Sequence, residues 1–114
     1  MDDTERLKRG AAARRKVLGR EWFDTITRSP WCDVWTRPHF DERTRRILVM
    51  GTMIALGRWD EFALHVRAAL TEGQFSADDI KEILLQQAAY CGAPAGNHAF
   101  KVAEQILRDT GRLA

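Results

Sequence analysis

The sequence has few of the residues that would build a cysteine-dependent site. Only two cysteines, Cys32 and Cys91, occur among 114 residues, and they are far apart in the chain. No C-x-x-C spacing is present, so neither a redox dithiol nor a local zinc knuckle is encoded. In a reducing compartment both thiols are expected to remain free.

Long apolar segments and a leader are also missing. The main apolar run, ILVMGTMIALG at 47–57, is much shorter than the roughly 20 residues that a membrane span needs. The first residues, MDDTERLKRG, begin with acids and contain no apolar core of the kind found in signal peptides. We therefore expect a cytoplasmic protein with no membrane partner.

Charges of the two signs nearly cancel. There are 18 basic and 16 acidic side chains and a formal net charge of +2, which does not indicate a nucleic-acid partner. The basic residues are crowded into the first twenty positions: Arg6, Lys8, Arg9, Arg14, Arg15, Lys16 and Arg20. This distribution fits a solvated helix face, or arginines available to an anionic ligand or an acidic neighbouring subunit.

Apolar residues recur with a helical period along most of the chain, and alternating strand patterns are missing. Residues 20–40 are interrupted by two prolines and hold three tryptophans, which predicts an irregular packed segment with at most one helical turn near 21–28. The capping residues and glycines delimit five predicted helices, at 3–18, 42–57, 59–72, 76–91 and 94–109. We predict one domain over 1–114, an all-α bundle of about five to six helices in which 42–57 is central.

Glu61 and His65 are the first candidates for chemistry, since a spacing of four places them on one face of a helix. Projection at about 100° per residue puts them off the apolar stripe of their helix, so we expect them to face water, a cleft or a second subunit. They are either an exposed side-chain contact or an acid–base pair. Three further residues are expected to be structural, with Gln87 bonded to a buried backbone group, Cys91 packed as a small hydrophobe and His98 at a core border.

Two long segments resemble the carboxymuconolactone decarboxylase family. They are GRWDEFALHVRAALTEG at 57–73 and SADDIKEILLQQAAYCGAPAGNHAF at 76–100. Upstream, RRKVLG, WCDVWTRP and RTRRIL resemble the γ-carboxymuconolactone decarboxylase branch. The chain departs from that branch in a short connector after Gly19, in Cys32 where glycine is expected, and in His98 where a small residue is common.

The resemblance implies an alkyl hydroperoxidase D-like fold and the conversion of 4-carboxymuconolactone to 4-oxoadipate enol-lactone in protocatechuate catabolism. The lactone carbonyl, conjugated to the carbon that loses carbon dioxide, can accept the electron pair, so no metal and no other cofactor is expected. The resemblance also implies a homo-oligomer, a hexamer or alternatively a trimer, with the site near a subunit interface.

Within the resemblance, His65 would deliver the proton, because an unperturbed imidazole titrates near ~6.5, and Glu61 would orient it or stabilise its charged form. Substrate carboxylates would be held by side chains from the family-like blocks, for which arginine is suited by its planar fork. These candidates are Arg14, Arg15, Trp35, Arg37 and Arg45.

Two alternatives remain at this stage. One is a redox protein of the wider superfamily, whose C-x-x-C dithiol is broken here because Ala88 precedes Cys91 by three residues. The other is a helical oligomerisation or binding module that has kept the fold and lost the chemistry. A concave pocket at Glu61 and His65 would favour the enzyme, and a convex surface would favour the module.

Overall fold

The computed structural model describes residues 3–18 and 34–113, with side chains in the first helix described as far as Ala13. Within these residues the chain is helical and has no strand. The helices are α1 Asp3–Leu18, α2 Glu42–Leu56, α3 Trp59–Thr71, α4 Ala77–Cys91 and α5 Ala93–Asp109. The all-α prediction is confirmed, and the helical turn predicted near 21–28 lies outside the described residues.

Local chemistry sets the helix ends close to the predicted positions. The Asp41 carboxylate accepts a hydrogen bond from the Thr44 backbone N–H at 2.7 Å, which caps the start of α2. α2 ends at Gly57, whose φ of 69° is a left-handed conformation that glycine adopts without strain. At α4, Ser76 and Asp79 form a reciprocal capping box at 3.1 and 2.8 Å.

α3 lies at the centre of the bundle. It packs against α1, α2 and α5, while α4 packs against α2 and α5. Six residues of α3 are buried, whereas α2 buries only Arg46, Met50 and Ile54. The prediction that α2 is the central helix is therefore wrong, because Leu48 and Leu56 are exposed on its outer side.

The apolar core is formed by all the helices from α2 to α5 together with the short connection before α4. It comprises Met50, Ile54, Phe62, Val66, Ala69, Leu70, Phe75, Ile80, Leu84, Ala99, Ala103, Ile106 and Leu107. None of the described helices is long and apolar enough to cross a lipid bilayer.

Candidate functional site

His65 lies on the buried side of α3, whereas Glu61, one turn earlier, is exposed. Only 8% of the His65 surface is accessible. The prediction that both residues lie off the core is correct for Glu61 and wrong for His65. The physical reason is that α1, α2 and α5 all pack against α3, so this helix is covered beyond its single apolar stripe.

Burial changes the protonation of His65. Desolvation lowers the pKa of this imidazole from 6.5 to about 4, the Arg46 charge acts in the same direction, and Glu61 opposes them. His65 is therefore uncharged at neutral pH. The expectation of an ordinary imidazole pKa is wrong, because the water-exposed Glu61 does not compensate for burial.

The Nδ1 atom of His65 is a second sign of a functional position. It is buried and has no hydrogen-bond partner among the residues that the structure describes. Leaving a buried polar atom unpaired costs about 1–3 kcal/mol. Such atoms are rare in folded proteins, and catalytic groups are among the exceptions.

Arg46 completes this group and was missed by sequence reasoning. Its side chain is almost fully enclosed, and its Nε and Nη2 atoms donate to one carboxylate oxygen of Glu42 at 3.2 and 3.1 Å. The signal was present in the spacing, because Arg46, Met50 and Ile54 recur every four residues and form the buried stripe of α2. We call Arg46, Glu61 and His65 the inner site.

Two predicted substrate-binding residues, Trp35 and Arg45, lie together on the other side of α2. They line a surface pocket of about 250 Å³, here called the outer pocket, formed by Val34, Trp35, Arg45, Leu48, Val49 and Thr52. Neither Glu61 nor His65 is among its described lining residues. The structure thus gathers the candidates into two groups, one on each side of α2.

Within the outer pocket, the guanidinium of Arg45 has weak partners. Its Nη2 atom donates to the backbone carbonyl of Arg37 at 3.4 Å, and the Phe40 ring lies 5.8 Å away. Its Nε atom is buried without an acceptor. Among the described residues, no carboxylate pairs with Arg45, so its charge is available to an anionic ligand.

The remaining candidate arginines are not part of either group. Arg37 is exposed, and what it contributes near Arg45 is its backbone carbonyl. Arg14 and Arg15 belong to α1, but their side chains lie outside the described residues. Their assignment to a substrate site stays a prediction.

The structural interpretation of Gln87 and His98 is confirmed. Gln87 donates from Nε2 to the Gly51 carbonyl at 3.2 Å. His98 stacks on Trp59 with ring centroids 4.2 Å apart and planes 9° from parallel. Cys91 is half-buried, with its Sγ 3.9 Å from the Gln87 Nε2. In the described part of the chain, no three His, Cys, Asp or Glu side chains converge to hold a metal ion.

Comparison with known proteins gives consistent matches over most of the chain. The model of the carboxymuconolactone decarboxylase family matches residues 20–105. The 4-carboxymuconolactone decarboxylase of Acinetobacter baylyi is 33% identical over 126 residues, covering 97% of this chain and 93% of that protein. Nitrosuccinic acid decarboxylase npaB of Metarhizium robertsii is 31% identical over 115 residues, covering 88% and 80% respectively. With the matched segment containing both the inner site and Arg45, the chain belongs to the carboxymuconolactone decarboxylase family.

Proposed function

We propose that this protein is a cofactor-independent decarboxylase of a small polycarboxylic acid. The observation that carries the proposal is the similarity to two decarboxylases over most of the chain. The substrates in their names share a chemical pattern, a carboxylate together with an electron-withdrawing group, which is an unsaturated lactone in one and a nitro group in the other. Such a group can accept the electron pair that remains when carbon dioxide leaves.

For the substrate we propose 4-carboxymuconolactone, converted to 4-oxoadipate enol-lactone in protocatechuate catabolism. The more complete match to the Acinetobacter baylyi enzyme supports this choice over nitrosuccinic acid. The bond between the ring carbon and the departing carboxylate breaks, and its electron pair moves through the C=C bond to the lactone carbonyl. A proton then adds to carbon and restores the neutral lactone.

His65 is the proposed proton donor, and the structure constrains how it acts. An uncharged imidazole is a very weak acid, so His65 must first take up a proton. The negative charges of a bound substrate would favour that uptake, and Glu61 on the neighbouring turn acts in the same direction. In this scheme Arg45 holds a substrate carboxylate, with Trp35 and Arg37 beside it.

A decarboxylation assay with 4-carboxymuconolactone tests the proposal, with nitrosuccinic acid as the competing substrate. We expect His65→Gln and Glu61→Gln to lower kcat about 10²- to 10⁴-fold, the usual contribution of an acid–base group. His39→Gln and Glu72→Gln are matched controls, because both residues are exposed and belong to neither group. Unchanged turnover in both site variants would refute the assignment, and activity on nitrosuccinic acid alone would replace the substrate.

We also propose a closed homo-oligomer, a hexamer with the trimer as alternative, in which Arg14 and Arg15 reach a neighbouring site. Large apolar side chains exposed on the single chain support assembly: Leu48, Leu56, Leu85, Tyr90 and Phe100. Light scattering at micromolar concentration measures the subunit number. A fully active 13.0 kDa monomer would contradict both the assembly and the shared site.

A further inference from the structure

We propose that Arg46 is a positioning residue for this reaction, whose buried guanidinium keeps His65 uncharged in the free enzyme and makes the imidazolium formed with bound substrate a strong proton donor. The second half of this proposal rests on the proposed decarboxylase function. The first half concerns the folded protein alone and can be tested without substrate.

The position of Arg46 is fixed from two sides. Glu42 accepts two hydrogen bonds from the guanidinium, and the other side is closed by the end of α3. A Cβ atom added at Gly73 would lie 2.7 Å from the Arg46 Nε and 3.0 Å from the Ala69 carbonyl oxygen. The absence of a side chain at Gly73 therefore leaves the space that the guanidinium occupies.

That space lies along the same side of α3 as His65. Residues 65, 69 and 73 are spaced by four and share one helix face, so a guanidinium held against Gly73 and Ala69 is on the side that carries the imidazole. Arginine cannot lose its proton in a protein. A fixed positive charge beside a buried imidazole with an unpaired Nδ1 atom disfavours a second positive charge there.

The other charges on the elements around α3 are engaged elsewhere. From α5, Asp109 lies 3.7 Å from Arg67, and in α1 the half-buried Arg6 lies 3.9 Å from Asp3. Arg112, after α5, donates to the Leu70 carbonyl at 2.8 Å. The residues that α5 buries carry no charge. Among the described side chains, Arg46 and Glu61 are the charges that act on His65.

The consequence for the reaction is a change in acid strength. Substrate carboxylates would offset the Arg46 charge and allow His65 to take up a proton. When one carboxylate leaves as carbon dioxide, part of that compensation is lost, while Arg46 remains charged. Transfer of the proton from the imidazolium to the substrate carbon then returns His65 to its uncharged resting form.

The direct test is an imidazole NMR titration of the free protein. The sequence contains three histidines, so His39→Gln and His98→Gln assign the signals. We expect Arg46→Met to raise the pKa of His65 by about one pH unit, while Arg46→Lys, which keeps the charge, leaves it near the wild-type value. Arg43→Met is the matched control, since Arg43 is on the same helix but pairs with Asp79 at 2.9 Å.

If Arg46→Met fails to fold, Glu42→Gln gives the opposite sign. Removing the Glu42 charge leaves Arg46 less compensated, so His65 should stay uncharged to still lower pH. A rise of the His65 pKa in Glu42→Gln, or no change in a folded Arg46→Met, overturns the proposal.

The pH dependence of kcat/KM tests the second half. If the protonated imidazole is the donor, kcat/KM falls as pH rises above the free-enzyme pKa of His65. In Arg46→Met this decline should begin at higher pH, and in Arg46→Lys it should not move. An unshifted decline in Arg46→Met refutes the catalytic half. Absence of decarboxylation with a normal NMR result would instead refute the proposed function and leave the electrostatic role of Arg46 intact.

Discussion

Two neighbouring residues of α2, Arg45 and Arg46, show how one helix separates two kinds of arginine. Arg46 is enclosed, bonded to Glu42 and held against the end of α3. Arg45 points to the outer pocket, where its polar partner is a backbone carbonyl at 3.4 Å. A step of one residue rotates the side chain by about 100° around a helix, which is enough to exchange a core environment for a surface one.

The comparison separates structural and ligand-directed charge. A guanidinium whose charge is already matched by a carboxylate contributes to the fold and to the field around it. A guanidinium without such a partner retains its capacity to bind an anion. Changes in the inner site should therefore alter stability and proton affinity, whereas changes in the outer pocket should alter substrate binding.

The largest expected effect is the pH dependence of stability caused by His65. The folded protein holds its pKa at about 4, below the ordinary 6.5, so on acidification the unfolded chain binds the proton first. This contribution to stability is complete above about pH 6.5 and is lost as the pH falls towards 4, amounting to about 3 kcal/mol. Urea unfolding of wild type and His65→Leu at several pH values measures it.

His39→Leu is the control for that experiment, because His39 is exposed. We expect its stability to fall with pH as in the wild type. A wild-type dependence in His65→Leu would show that His65 is not the titrating group.

The next effect is the loss of the partner of Arg46. Glu42→Ala leaves a buried positive charge poorly compensated, and we expect the free energy of unfolding to fall by about 2 kcal/mol, below the range for a fully buried pair because Glu42 is 31% exposed. Asp78→Ala removes an exposed acid from the first turn of α4 and should cost only about 0.5 kcal/mol. Equal losses in the two variants would mean that the ion pair adds nothing beyond the helix dipole.

In the outer pocket, Arg45→Met should lower kcat/KM about 10-fold or more, mainly through KM, because a charged hydrogen bond to a substrate carboxylate is lost. Stability should change by less than about 0.5 kcal/mol, as for surface positions in general. Arg58→Met is the control, since Arg58 is exposed and lies outside the pocket. A large loss of stability without a change in KM would assign Arg45 to the fold instead.

The smallest effect is expected at Cys91, which belongs to neither group. Its thiol contacts Gln87 at 3.9 Å and packs beside the core. Cys91→Ala should therefore keep decarboxylase activity and lose no more than about 1 kcal/mol of stability. Peroxide reduction with a dithiol donor should be negligible. Robust peroxidase turnover that disappears in this variant would place the protein in the redox branch.

The sequence by itself determined the local features of the fold. The helical period, the Asp41 cap, the Ser76 capping box and the glycine after α2 correctly predicted the described helices and their ends. These features are predictable because each depends on residues within a few positions of one another. The family was also readable in the sequence, from the blocks around His65 and Cys91, and the comparisons confirm it.

Only the tertiary structure decided which sides of those helices are covered. Three helices pack on α3, and this buries His65, lowers its pKa and brings Arg46 of α2 to its side. A helical projection treats each helix alone and assigns one apolar face, so it put His65 outside the core and passed over Arg46. The charge and solvation of an imidazole depend on neighbours distant in sequence, and for that reason its chemistry was decided by packing.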